Sequence, residues 1–183
     1  QQFNRRKDAE PHATEAVDTS MIYAKNVIGL IDNGAPTTVV IGAHYDHLGW
    51  GESGESMHTG EPAIHNGADD NASGVAMITE LARWIKQSGL KGNNYMFIAF
   101  SGEELGLWGS TYFMQNPTIS DANINYMINL DMVGRLNNEK TLAVHGIGTS
   151  PVWKRNLKKA NKDKINYLFS ASGIGPSDHT QFY

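Results

Sequence analysis

The 183-residue chain has no cysteine, which excludes disulfides, thiolate nucleophiles and Cys-ligated zinc or iron–sulfur centres. Any transition metal must therefore sit on His, Asp and Glu. No apolar run approaches the roughly 20 residues that cross a bilayer, so a membrane span is not expected. Positive charge is also scarce. Fifteen Lys and Arg against 19 Asp and Glu leave a net charge of −4, and general nucleic-acid binding needs concentrated positive charge. No Gly-x-Ser-x-Gly elbow, His-Glu-x-x-His helix or P-loop occurs, and Gly146-Ile-Gly148 and Gly173-Ile-Gly175 lack the third glycine of a dinucleotide fingerprint. What is present is 40% hydrophobic residues in a length that suits one domain with a sizeable core. The chain opens on Gln1 without a signal-like apolar segment and reads as a processed or excised piece.

Residues 1–20 are polar, mixed in charge and without period, and read as an N-terminal extension to a domain spanning 21–183. Asn26–Ile31 and Thr37–Ala43 read as strands, and the turn residues Asp32–Pro36 between them suggest a hairpin. Leu48–Gly67 has no period, and loops of that length are usually functional or disordered. Val75–Ser88 repeats Ile78, Leu81, Ala82 and Ile85 at the helical period, and Gly89 supplies a stop. Tyr95–Phe100 is continuously apolar, as in a strand buried on both faces. A helix is predicted over 107–115, strands over 125–130 and 141–144, and a basic helix from Ser150-Pro151 to about Lys162. Strands alternating with helices predict an α/β fold: a mixed, mostly parallel sheet with helices on both faces, in three layers.

Polar clusters fall at the ends of these strands. Strand 37–43 runs into His44-Tyr45-Asp46-His47, strand 95–100 into Ser101-Gly102-Glu103-Glu104, and strand 125–130 into Asp131. Asp69-Asp70-Asn71 precedes the helix at Val75. In an open α/β sheet the carboxyl ends of the strands line the ligand crevice, so the clusters are expected to converge. Gathered carboxylates repel one another, and one or two divalent cations relieve this. A sulfur-free set of imidazole and carboxylate donors suits Zn²⁺, Mn²⁺ or Co²⁺ in a hydrolytic site. His44 and Asp46 share one strand face, so His44 can bind metal through one nitrogen while Asp46 accepts a hydrogen bond from the other. Of the adjacent Glu103 and Glu104, one can ligate while the other acts as general base on a water. His47 reads as a neighbour of the ligands, and His12, His58, His65 and His145 have no assigned partner. The six cations between Lys154 and Lys164 read as a wet helix face, and the sequon Asn71-Ala72-Ser73 as coincidence.

Taken in order, Ala43-His-Tyr-Asp-His47, Asn66-Gly-Ala-Asp-Asp-Asn-Ala-Ser-Gly74, Ser101-Gly-Glu-Glu-Leu-Gly106 and Asn129-Leu-Asp-Met132 resemble the di-zinc exopeptidases. That family includes secreted bacterial leucyl aminopeptidases and the glutamate carboxypeptidase branch. Pro176-Ser-Asp-His179 resembles its substrate-site segment, and the likeness runs from about Asn26 to Tyr183. The resemblance implies that Asp70 bridges two zinc ions, with a cis peptide between Asp70 and Asn71. His44 and Asp131 complete one zinc site, Glu104 belongs to the other, and Glu103 is the general base, with Asp46 supporting His44. It also implies that the second zinc takes a histidine from a His-x-Pro-x-Asp segment that this sequence does not reach, so the C-terminal part of the domain is expected to be missing.

On that resemblance the expected activity is zinc-dependent release of neutral or apolar N-terminal residues through a water between the metals, with Met132 and Ile174 forming an apolar pocket. A carboxypeptidase or amidase on the same metals would use Arg135 to anchor a carboxylate, and a non-catalytic ectodomain of the same fold is a third reading. The partners expected are peptide or small amide substrates, not nucleic acid or a membrane, and a secreted or periplasmic setting is implied.

Overall fold

The computed structural model describes residues 23–51, 56–61 and 63–183, so the predicted extension over 1–20 lies outside the described residues. Among the described residues the strands and α-helices are, in chain order, β1 (Val27–Ile31), β2 (Thr38–His44), α1 (Gly74–Ser88), β3 (Asn94–Phe100), α2 (Trp108–Gln115), β4 (Ile124–Asn129), β5 (Thr141–Val144), α3 (Trp153–Ala160) and β6 (Asn166–Phe169). β1 to β4 form one sheet in the order β1-β3-β2-β4, in which β2, β3 and β4 are parallel and β1 is antiparallel to β3.

β2 is buried along its whole length because it lies between β3 and β4 and is covered on both faces. Its alternate residues serve two cores. Val39, Ile41 and Ala43 pack with Tyr95 and Phe97 under Ile78 and Ile85 of α1. Val40 faces the other way, with Met96, Ile98 and Phe100, under Phe113 of α2. Period two in the strand and period 3.6 in the helix thus produce the predicted three layers. Each fully buried Ile or Phe side chain stabilises this arrangement by about 1.5–3 kcal/mol. Gly89 ends α1 in the left-handed conformation (φ 71°), as its glycine predicts.

Three expectations are corrected. β1 and β2 do not form a hairpin, because β3 lies between them. The connection is pinned to the start of β3 instead: the Asn94 side chain accepts from the Asn33 and Ala35 amides and donates to the Ala35 carbonyl. The basic helix is shorter than predicted. Ser150 and Pro151 remain in the preceding turn, and the Asn161 side chain ends the helix by bonding Ile165 through both its oxygen and its nitrogen. β5 does not join the main sheet but pairs in parallel with β6, a strand absent from the sequence reading. Among the described residues no helix is long and apolar enough to cross a membrane.

Candidate metal centre

The parallel register of the sheet brings the predicted clusters to one rim. His44, the last residue of β2, pairs with Phe100, the last of β3, so Ser101 to Glu104 emerge beside it. On the other side β4 ends opposite Gly42, and Asp131 follows two residues later. Asp70 arrives from an irregular turn at 68–73, where the Asp70–Asn71 peptide is cis as the resemblance implies.

His44 is the hub, 1% exposed. Its Nε2 lies 3.1 Å from Asp70 Oδ1, 3.5 Å from Asp131 Oδ1 and 4.0 Å from Glu103 Oε2. His44, Asp70 and Asp131 each offer a donor atom within 4.8 Å of the other two. His44 Nε2 and Asp131 Oδ1 are buried without a hydrogen-bond partner. Buried polar atoms are ordinarily paired, so unpaired donors converging on one point fit a cation. The donor set of one imidazole and two carboxylates suits zinc.

Asp46 faces His44 Nδ1, with its backbone carbonyl nearer than its carboxylate. The nearest acceptor to His44 Nδ1 is the Asp46 backbone carbonyl, at 3.1 Å, whereas the carboxylate stands at 3.6 Å. That carboxylate also accepts the main-chain N–H groups of Glu103 (3.1 Å) and Glu104 (3.2 Å), so it aims both glutamates. Glu104 lies outside the three-residue group, but its side chain shares a cavity of about 250 Å³ with Asp70, His47 and His65. A larger cavity, about 560 Å³, is also lined by Glu104, together with Tyr23, Tyr45, Leu105 and Trp108.

Crowded acids raise one another's proton affinity. Burial pushes the Glu103 carboxyl up to about 8, opposed by His44 and reinforced by the charges of Asp178, Asp131 and Glu104. Burial and then the charge of Asp70 push Glu104 to about 7. Burial alone would lower His44, but the carboxylates of Asp131 and Asp46, with the charge of Glu103, outweigh it and push the imidazole up to about 11. Without a cation this rim therefore holds protons where a metal would otherwise balance the charge.

Two residues in the rim were not singled out individually in the sequence. Ser177, buried, accepts a hydrogen bond from Asn129 Nδ2 (2.7 Å). Asp178 is 0% exposed, with both carboxylate oxygens unpaired, and burial pushes it up to about 6. The Ser-Asp-His run was the available signal, but nothing in it foretold burial. Met132 and Ile174 are 55% and 63% exposed, and Arg135 is also exposed. Met132 has φ 52°, in the left-handed region.

Known proteins resemble this chain in sequence and in fold. Aminopeptidase YwaD of Bacillus subtilis (strain 168) is 31% identical over 154 residues, covering 81% of this chain and 30% of its own length. The structure of BSAP, a zinc aminopeptidase from Bacillus subtilis, matches with a TM-score of 0.63 and 31% identity, over 86% of this chain and 36% of that one. A Bacteroides thetaiotaomicron glutaminyl cyclase matches with a TM-score of 0.68 at 23% identity, over 91% of this chain and 62% of its own, a likeness of fold alone. The chain spans about a third of the length of the curated relatives it matches. The sequence profile of Peptidase family M28 matches residues 26–183, and with the rim of acids around His44 in place, the chain belongs to that family.

Proposed function

We propose that this chain carries the metal centre of a zinc aminopeptidase that removes neutral or apolar residues from peptide N-termini. The observation that carries the reading is the convergence of donor atoms from His44, Asp70 and Asp131 on one point, those of His44 and Asp131 buried and unpaired, with the Glu103 carboxyl beside them but outside the group. His44 and Asp131 would hold one zinc, Asp70 would be shared, and Glu104 would serve a second. When bound, zinc polarises a carbonyl and makes water more acidic.

The chain's own residues do the rest. Glu103, 10% exposed and anchored through its main chain by Asp46, accepts a proton from the attacking water and returns it to the leaving amine. Asp46 positions both glutamates by holding their amides. The acidic character of the rim favours a substrate end that carries an amine over one that carries a carboxylate, which supports cleavage at an N-terminus. Met132 and Ile174 offer apolar surface to the first side chain. An exported setting, secreted or periplasmic, belongs to the same reading.

The test compares leucine p-nitroanilide, its N-acetyl analogue and an N-terminal glutaminyl peptide, with the full-length protein and zinc. Cleavage restricted to the free amine is expected. Equal cleavage of the blocked analogue rejects an aminopeptidase, and cyclisation of the glutaminyl peptide without hydrolysis rejects a peptidase.

A further inference from the structure

Asp70 and Asp131 reach His44 from two separate segments, and the residues that flank them hold one another. Asn71, 1% exposed, donates from Nδ2 to the Leu130 carbonyl (2.9 Å). Its Oδ1 accepts from the Met132 amide (3.2 Å) and from the Gly74 amide at the start of α1 (3.0 Å). One side chain thus grips both neighbours of Asp131 and ties them to the helix that follows Asp70. Ser73 adds a second rung: its hydroxyl donates to the Asp69 carbonyl (2.6 Å) and accepts from the Val133 amide (3.0 Å). Asp69 Oδ1 closes a third with the Gly134 amide (2.9 Å).

The close approach depends on two glycines. A Cβ at Gly74 would collide with the Leu130 carbonyl and the Asn71 amide, and one at Gly134 with the Ser73 side chain. The clamp also fixes Met132, whose left-handed backbone is uncommon for a residue bearing a side chain. A carboxamide is the group that can do this, since it offers a donor and an acceptor on one planar end.

We propose that Asn71 is a positioning residue of the metal centre, its carboxamide setting the distance between the Asp70 and Asp131 carboxylates. The inference rests on reading the cluster around His44 as a zinc site. A residue that only stabilised the fold would alter the melting of the metal-free protein and leave zinc affinity alone. A residue that sets ligand spacing alters the affinity itself.

The test is zinc titration by calorimetry on the full chain and on Asn71→Asp, Asn71→Ala and Ser73→Ala, with separate melting curves of the metal-free forms. Asn71→Asp keeps the shape and the acceptor while losing the donor to Leu130, so it serves if the alanine variant does not fold. Both Asn71 variants are expected to bind zinc about 10–100-fold more weakly below their melting transitions, the range typical of groups that orient ligands. Their cobalt forms should have altered visible spectra, while Ser73→Ala loses less affinity. Folded Asn71 variants with parental zinc affinity, whatever their melting temperature, would overturn the positioning role. If the parent binds no zinc, the reading of the cluster itself fails, and that result is distinct.

Discussion

Replacing Glu103 by Gln separates the base from the ligands. The two side chains have the same shape, and the substitution leaves the Glu103 main-chain bond to Asp46 in place. What changes is the ability to take a proton. Glu103 Oε2 stands 4.0 Å from His44 Nε2 and outside the three-residue donor group, so the variant keeps its metal donors. A positioned general base contributes about 10²–10⁴-fold, which at about 1.36 kcal/mol per tenfold is about 2.7–5.4 kcal/mol of barrier. Turnover of leucine p-nitroanilide by Glu103→Gln should therefore fall by that factor in kcat, with KM and zinc affinity little changed. If the lost rate returns on raising the zinc concentration, Glu103 is a ligand rather than the base, and the reasoning is refuted.

Other consequences follow from the same geometry. Asp131→Ala leaves His44 without one of its two nearest carboxylates, and zinc bound at the first site should be lost by elemental analysis while the far-UV spectrum is kept. In the metal-free protein, the raised Glu103, Glu104 and His44 mean that the folded state holds more protons than the unfolded one. Stability should therefore fall as pH rises from about 5 to 8, and zinc should reverse the trend; melting of chelator-treated protein that is higher at pH 8 than at pH 5 contradicts this. Zinc binding near pH 7 should release more than one proton, because His44 must give up its own and Glu103 and Glu104, pushed up to about 8 and about 7, lose theirs in part beside the cation; calorimetry in buffers of different ionisation enthalpy measures the number. Gly74→Ala forces a Cβ against the Leu130 carbonyl and should cost about 1–3 kcal/mol in denaturant melts.

The rim was legible because it depends on topology that alternation reveals. Continuous apolar strands imply a parallel sheet, and parallel strands deliver whatever follows them to one edge, which is how His44, Glu103 and Asp131 meet. Pairing order was less legible. Asp32 to Pro36 mark a change of direction, but turn residues do not say which strand lies alongside, and here Asn33 and Asn94 lock the connection to β3. β6 escaped notice because four residues after a charged run carry too little pattern. Asn71 read as part of a motif, since a carboxamide's role depends on which carbonyls and amides fold beside it. Asp178 was equally hidden: an acid in a Ser-Asp-His run suggests a polar edge, whereas the fold buries it completely.

Anomalous diffraction at the zinc edge from zinc-loaded crystals tests the central claim most directly. The account predicts a peak about 2.0–2.2 Å from His44 Nε2 and from carboxylate oxygens of both Asp70 and Asp131. A zinc-loaded protein whose anomalous peaks all lie away from His44 would contradict it.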